Sequence, residues 1–243
     1  MNRILLLCCL AASTAFGQIG DSRQLIVSVA PEWSSPHGTM MLIEKGKNGW
    51  EAVAPSWHVM YGDSGLAWGL GLLPKQVGGR VKHEGDRCSP AGIFHLGTFC
   101  GYDSAAPAGV RLHYIQSTST TRWVDDPQSA YYNTMIDEKQ IPKMLKGKTQ
   151  WRSAEHMKFN GIDYKYVIEV KHNPGNIPGM GSAIFLHLNS PQRSPTSGCT
   201  AMDEEHMLTL LKWIDPAKKP LLVQIPIGEY AHYVKLWNVP VVQ

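Results

Sequence analysis

Two segments carry side chains able to do covalent chemistry. Gly181-Ser182-Ala183-Ile184-Phe185-Leu186-His187 is followed by a polar loop and then by Thr196-Ser197-Gly198-Cys199-Thr200-Ala201-Met202. Together they hold the parts of a thiol acyl-transfer site. A thiol of pKa about 8.5 is mostly protonated at neutral pH, and an adjacent imidazole that takes its proton generates the reactive thiolate. Cys199 is therefore the expected nucleophile and His187 its base. Gly198 permits a backbone geometry that a side chain would block, which would leave the amides around Cys199 free to face the oxyanion of a tetrahedral intermediate. Loss of one such donor typically costs about 2.7–4 kcal/mol of barrier. Ser197 is expected to shape the turn, orienting His187 or the oxyanion loop.

The elements that must position these residues are mostly strands. Ala183 to Leu188 is an apolar strand carrying His187 near its end, and a glycine turn returns Cys199 just ahead of a helix. In that helix Asp203 stands at the cap, Glu204 and Glu205 suit the positive end of the dipole, and Met207, Leu210, Leu211 and Ile214 share one face before Pro216. Gln24 to Ala30 is a β-branched run, and Met40 to Ile43 with Trp50 to Val53 forms a hairpin across Asn48-Gly49. Tyr164 to Val170 alternates as a half-buried strand does, and Leu221 to Ile225 is a further strand. Weaker helical patterns cover Glu138 to Lys146 and Ser153 to Lys158.

The Cys199 segment resembles the signature of the YkuD-type L,D-transpeptidase catalytic domain, a histidine followed by a loop and then Ser/Thr-His-Gly-Cys. Upstream, Glu84-Gly85-Asp86-Arg87-Cys88-Ser89-Pro90-Ala91-Gly92-Ile93-Phe94 resembles the Gly-Asp, Thr-Pro, Gly-x-Phe stretch that precedes the active site in that family. Further similarity around Trp123-Val124-Asp125-Asp126, Tyr131-Tyr132-Asn133 and Trp151 to Glu155 extends coverage over most of residues 62 to 226. The resemblance implies a mainly β domain, a β-sandwich or barrel with a few short helices, acting on peptidoglycan stem peptides in the periplasm or cell wall without a cofactor. It maps His187 to the base and Cys199 to the acylated nucleophile. Ser197 stands where the family commonly has a second histidine, Ala201 where an arginine is frequent, and the loop between His187 and Cys199 is short. The shared acyl-enzyme leaves transpeptidation, L,D-carboxypeptidase or amidase hydrolysis, and a peptidoglycan-binding module without catalysis as alternatives. A zinc site assembled from His83, Asp86 and His187 or His95 lacks a recognised ligand spacing.

The whole chain sets limits around this site. Of 243 residues, 23 are Lys or Arg and 20 are Asp or Glu, with no basic block, so nucleic acid is not an expected partner. Arg3, the apolar run Ile4 to Ala15 and Ala15-Phe16-Gly17 read as a secretory signal over residues 1–17, leaving residues 18–243 as one domain outside the cytoplasm. No later stretch is long enough to span a membrane. The mature chain keeps Cys88, Cys100 and Cys199. Cys88 and Cys100 flank a short segment able to turn back on itself and are expected to pair as a disulfide, leaving Cys199 as the free thiol. The oligomeric state is not legible.

Overall fold

A computed structural model describes residues 19–72, 78–142 and 150–236. The segment read as a secretory signal, 1–17, lies outside the described residues. Among the described residues the fourteen strands are β1 (Gln24–Ala30), β2 (His37–Gly46), β3 (Gly49–Ala52), β4 (Trp57–Met60), β5 (Leu66–Trp68), β6 (Ser89–Gly101), β7 (Tyr114–Gln116), β8 (Thr121–Val124), β9 (Met135–Asp137), β10 (Ala154–His156), β11 (Tyr166–Val170), β12 (Phe185–Leu188), β13 (Thr200–Met202) and β14 (Leu221–Pro226). Two α-helices, α1 (Glu204–Trp213) and α2 (Ile227–Leu236), and short 3-10 turns accompany them among the described residues. The mainly β architecture implied by the sequence is the one observed.

Eight strands close on themselves in the order β1-β14-β6-β11-β12-β13-β4-β2, with β2 pairing back onto β1. Closure removes the open sheet edges that invite aggregation. The β1–β14 and β12–β13 pairs are parallel and the other neighbours around the ring antiparallel. A separate sheet of order β10-β8-β9 lies beside the barrel wall, with the Trp123 ring of β8 edge-on to Phe185 of β12 at 4.9 Å.

Alternation of side chains divides β12 between two environments. Ile184, Leu186 and Leu188 enter the main core, whereas Ala183 and Phe185 join Cys100, Trp123, Met157, Val167 and Cys199 in a second apolar cluster. Val167 of β11 also belongs to that second cluster while Tyr166, Ile168 and Val170 face the main core. The strand expected to be half-buried is thus covered on both faces. In α1 the expected stripe is in place: Met207, Leu210, Leu211 and Ile214 are all fully buried.

Several local expectations change. Ser153 to Lys158 is not helical: its centre forms β10, paired antiparallel with β8. A segment this short does not nucleate a helix unaided, and the ladder satisfies its backbone instead. Glu138–Gln140 is a single 3-10 turn, and Ile141 is extended at φ −61°, ψ 129°, as the following Pro142 requires. The rest of that predicted helix, 143–146, lies outside the described residues. The β2–β3 hairpin turns at Lys47 and Asn48, and Gly49 supplies the positive φ of +114° just after them.

Cys88 and Cys100 are free thiols rather than a disulfide. The unbroken strand β6, thirteen residues long, starts just after Cys88 and carries Cys100 as its next-to-last residue. At about 3.3 Å per residue it carries the two cysteines far beyond the roughly 7 Å Cα separation that a disulfide tolerates.

Candidate active site

The parallel β12–β13 register sets Leu186 opposite Thr200 and His187 opposite Ala201. Cys199 immediately precedes Thr200, so it faces the same side as Ala201 and His187, diagonal to the imidazole. Both side chains line one cavity of about 630 Å³. Each is only 8% exposed, so the sulfur and the ring edge are reached through that cavity.

The turn that delivers Cys199 is built by hydrogen bonds. Gly198 has φ +148°, and a Cβ there would stand 3.1 Å from the Cys88 carbonyl oxygen and from Ile184 Cδ1. Thr196 Oγ1 accepts from Gly198 N–H at 3.0 Å and donates to the Cys199 carbonyl at 2.7 Å; Ser89 Oγ donates to the same carbonyl at 2.7 Å. The Gly198 amide, expected to be free for an oxyanion, is therefore already engaged. Ser197 is exposed on the cavity rim, and it is Thr196, one residue earlier, that ties the turn together. Asp203 stands at the start of α1 without capping it. Its carboxylate instead accepts from Asn189 Nδ2 and Arg193, tying the start and the middle of the loop between His187 and Cys199 to the foot of α1.

The pair rests uncharged. His187 Nδ1 donates to the Leu188 carbonyl at 2.7 Å. A carbonyl only accepts, so that bond fixes the tautomer and leaves Nε2 as the basic nitrogen. Burial lowers the imidazole below its ordinary range. Cys199 Sγ accepts from Phe185 N–H at 3.3 Å and donates to the Ala183 carbonyl at 3.5 Å. Burial pushes its thiol up to about 12. Among the described residues no hydrogen bond joins Cys199 to His187.

Several neighbours of the pair were not singled out from the sequence for the positions they take here. Tyr164 packs edge-on against His187 and Phe185, with ring centroids 5.4 and 5.7 Å apart, and donates to Glu155 Oε2 at 3.3 Å. Burial raises the Glu155 carboxyl, and the charge of Asp125 adds to this. Glu84 Oε2 accepts from Tyr132 OH at 2.6 Å and Ser182 Oγ at 2.8 Å. Lys82 and Asp86 form an ion pair at 2.6 Å with side chains 4% and 0% exposed. Burial works to raise Asp86, yet Lys82 and the amides of Cys88 and His83 hold its carboxyl below the ordinary range. Asp86 is thereby committed to the loop before β6. Among the described residues no group of three or more His, Cys, Asp or Glu is arranged to hold a metal ion, and the proposed combination of His83, Asp86 and His187 or His95 is not assembled.

Ala183 is a non-glycine residue at φ +52°, a left-handed conformation that costs about 1–2 kcal/mol. Such strain persists only where surrounding bonds impose it.

A closed β barrel with a cysteine and a histidine on one face of a parallel strand pair, open to a cavity, is the framework of a barrel-borne thiol site. The model of the YkuD L,D-transpeptidase catalytic domain matches residues 37–225, and the chain belongs to that family. No curated protein matches the chain. Among solved structures, that of the helical cell shape determining protein Pgp2 from Campylobacter jejuni aligns at 12% identity with a TM-score of 0.41, covering 85% of this chain and 48% of that one. This chain thus spans about half the length of that protein. Among the described residues no helix is long and apolar enough to cross a membrane.

Proposed function

We propose that the chain is an exported, cysteine-dependent L,D-transpeptidase acting on peptidoglycan stem peptides in the periplasm or cell wall, as one catalytic domain following a signal at residues 1–17. The observation that supports this most is the placement of Cys199 and His187 on one face of the β12–β13 pair, both lining the same cavity of about 630 Å³. A stem peptide entering the cavity brings its scissile carbonyl to the sulfur. The Cys199 S–H proton passes to His187 Nε2 as sulfur bonds to the carbonyl carbon of an L,D amide beside a diaminopimelate-like residue. The tetrahedral intermediate collapses, the C–N bond breaks, and the imidazolium returns the proton to the departing D-amino acid. An amine from a neighbouring stem then attacks the thioester, loses a proton to His187 and leaves an amide crosslink as the thiol is restored. Water in place of the amine gives hydrolysis instead.

Mass spectrometry of muropeptides incubated with the chain lacking residues 1–17 tests this reading. Crosslinked dimers are the expected product, and shortened monomers alone would assign the site to hydrolysis. The engaged Gly198 amide and the thiol bonded to Ala183 rather than His187 also suit a peptidoglycan-binding module that has lost turnover. Binding of muropeptides without an acyl-enzyme on Cys199 would select that reading.

A further inference from the structure

Ala183 sits where the chain enters β12, and its carbonyl is the acceptor of the Cys199 thiol. Its left-handed backbone has no local cause, since only glycine and, less readily, Asn or Asp adopt that region freely. The conformation is held from outside. Asn173 Nδ2 donates to Gly181 O at 3.0 Å, Ser182 Oγ donates to Glu84, and Ala183 N–H donates to Asn133 Oδ1 at 3.2 Å. Only the last of these acts on the residue whose carbonyl meets the sulfur.

Asn133 is itself oriented for this contact. It is 9% exposed. Its Oδ1 also accepts from Trp123 Nε1 at 3.2 Å, while Nδ2 donates to Asn176 Oδ1 at 3.0 Å and Asn173 O at 3.4 Å. Those bonds leave the amide one useful direction, with oxygen toward Ala183. The same Trp123 ring packs on Phe185, whose N–H is the other bond to the sulfur.

We infer that Asn133 is a positioning residue for the Cys199 nucleophile, its side-chain oxygen holding the left-handed Ala183 peptide whose carbonyl aims the thiol. The inference rests on the reading of Cys199 as the nucleophile. A hydrogen bond from S–H to a carbonyl both directs the sulfur and favours its protonated form. Releasing it misaims the sulfur for a peptide while easing ionisation toward a small reagent. Turnover and small-reagent alkylation therefore move in opposite directions. General loosening would expose the buried thiol and do the same, so recovery of turnover by glycine at 183 is what separates the two.

The experiment compares Asn133→Ala, Asn133→Asp and Asn133→Ala/Ala183→Gly with the parent. Turnover of a tetrapeptide muropeptide is measured alongside iodoacetamide alkylation at pH 9, assigned to Cys199 by peptide mass mapping, with near-ultraviolet circular dichroism confirming the fold. Asn133→Ala is expected to lower kcat about tenfold with KM changed less than threefold, and to raise Cys199 alkylation at least threefold. The double variant should recover at least threefold in kcat, because glycine adopts φ +52° without strain. Asn133→Asp keeps an acceptor oxygen toward Ala183 but loses the Nδ2 donor to Asn176 Oδ1 and Asn173 O, so its kcat should fall less than that of Asn133→Ala and its alkylation should rise less. A kcat loss with unchanged alkylation in Asn133→Ala, no recovery in the double variant, or a kcat in folded Asn133→Asp no higher than in Asn133→Ala would overturn the inference. If Asn133→Ala does not fold, the double variant is compared with Asn133→Asp, and a double variant no more active than the aspartate variant would overturn it. Full turnover by Cys199→Ala would instead remove the underlying reading of the site.

Discussion

His187 stands opposite Ala201 across the parallel β12–β13 pair, and that register puts the imidazole on the same face as Cys199, one step along the strand. The thiol and imidazole are therefore positioned by backbone pairing, before any bond forms between them. If they act as nucleophile and base, Cys199→Ala and His187→Ala each lower kcat/KM on muropeptides by at least about a thousandfold, as loss of either member of a nucleophile–base pair does. Both variants should keep the parent's circular dichroism. Retained turnover in either would reject the assignment.

The resting thiol should be slow. Burial raises Cys199 to about 12, so below that value the thiolate fraction grows about tenfold per pH unit. Iodoacetamide alkylation of substrate-free protein is expected to climb from pH 7 to 10 without a plateau. Burial moves His187 the other way, so its Nε2 remains available as a base at neutral pH. A plateau near pH 7 would show a thiolate–imidazolium pair already formed.

Gly198→Ala places a Cβ 3.1 Å from a backbone oxygen at φ +148°. The expected cost is about 1–3 kcal/mol of stability, with a fall in turnover because the turn delivers Cys199. Thermal melting and muropeptide assays check both, and an unchanged melting temperature would contradict the strain argument.

Lys82→Met leaves the buried Asp86 with its two amide donors and without its lysine partner, at an expected cost of about 3–5 kcal/mol at pH 7. In the parent chain the folded Asp86 carboxyl lies below its ordinary value of 3.8. Its contribution is thus present above that value and lost as pH falls through the folded one. The difference in melting temperature between parent and variant should narrow on acidification below pH 4. A gap independent of pH would assign the loss to packing alone.

Three thiols, at Cys88, Cys100 and Cys199, should titrate in the unfolded chain lacking residues 1–17, with no peptide linking Cys88 to Cys100 in a non-reducing map. Recovery of that linked peptide from the native protein would mean that β6 does not run straight between them.

Much of the fold was legible where local pattern and burial coincide. The β-branched run of β1, the apolar segments at β12 and β14 and the stripe of α1 each bury what their periodicity offered. The candidate nucleophile and base were legible too, because a strand, a polar loop and a glycine turn are local features. The sequence by itself determined which residue types stand near one another and that a glycine turn precedes the cysteine. Barrel closure decided the rest: which face of β12 meets the cavity, that Asn133 reaches Ala183 across fifty residues, that Tyr164 and Glu155 flank the site, and that β6 stretches two cysteines apart. Those contacts depend on the register of strands distant in the chain, and register follows from packing the whole barrel around its core rather than from any one segment.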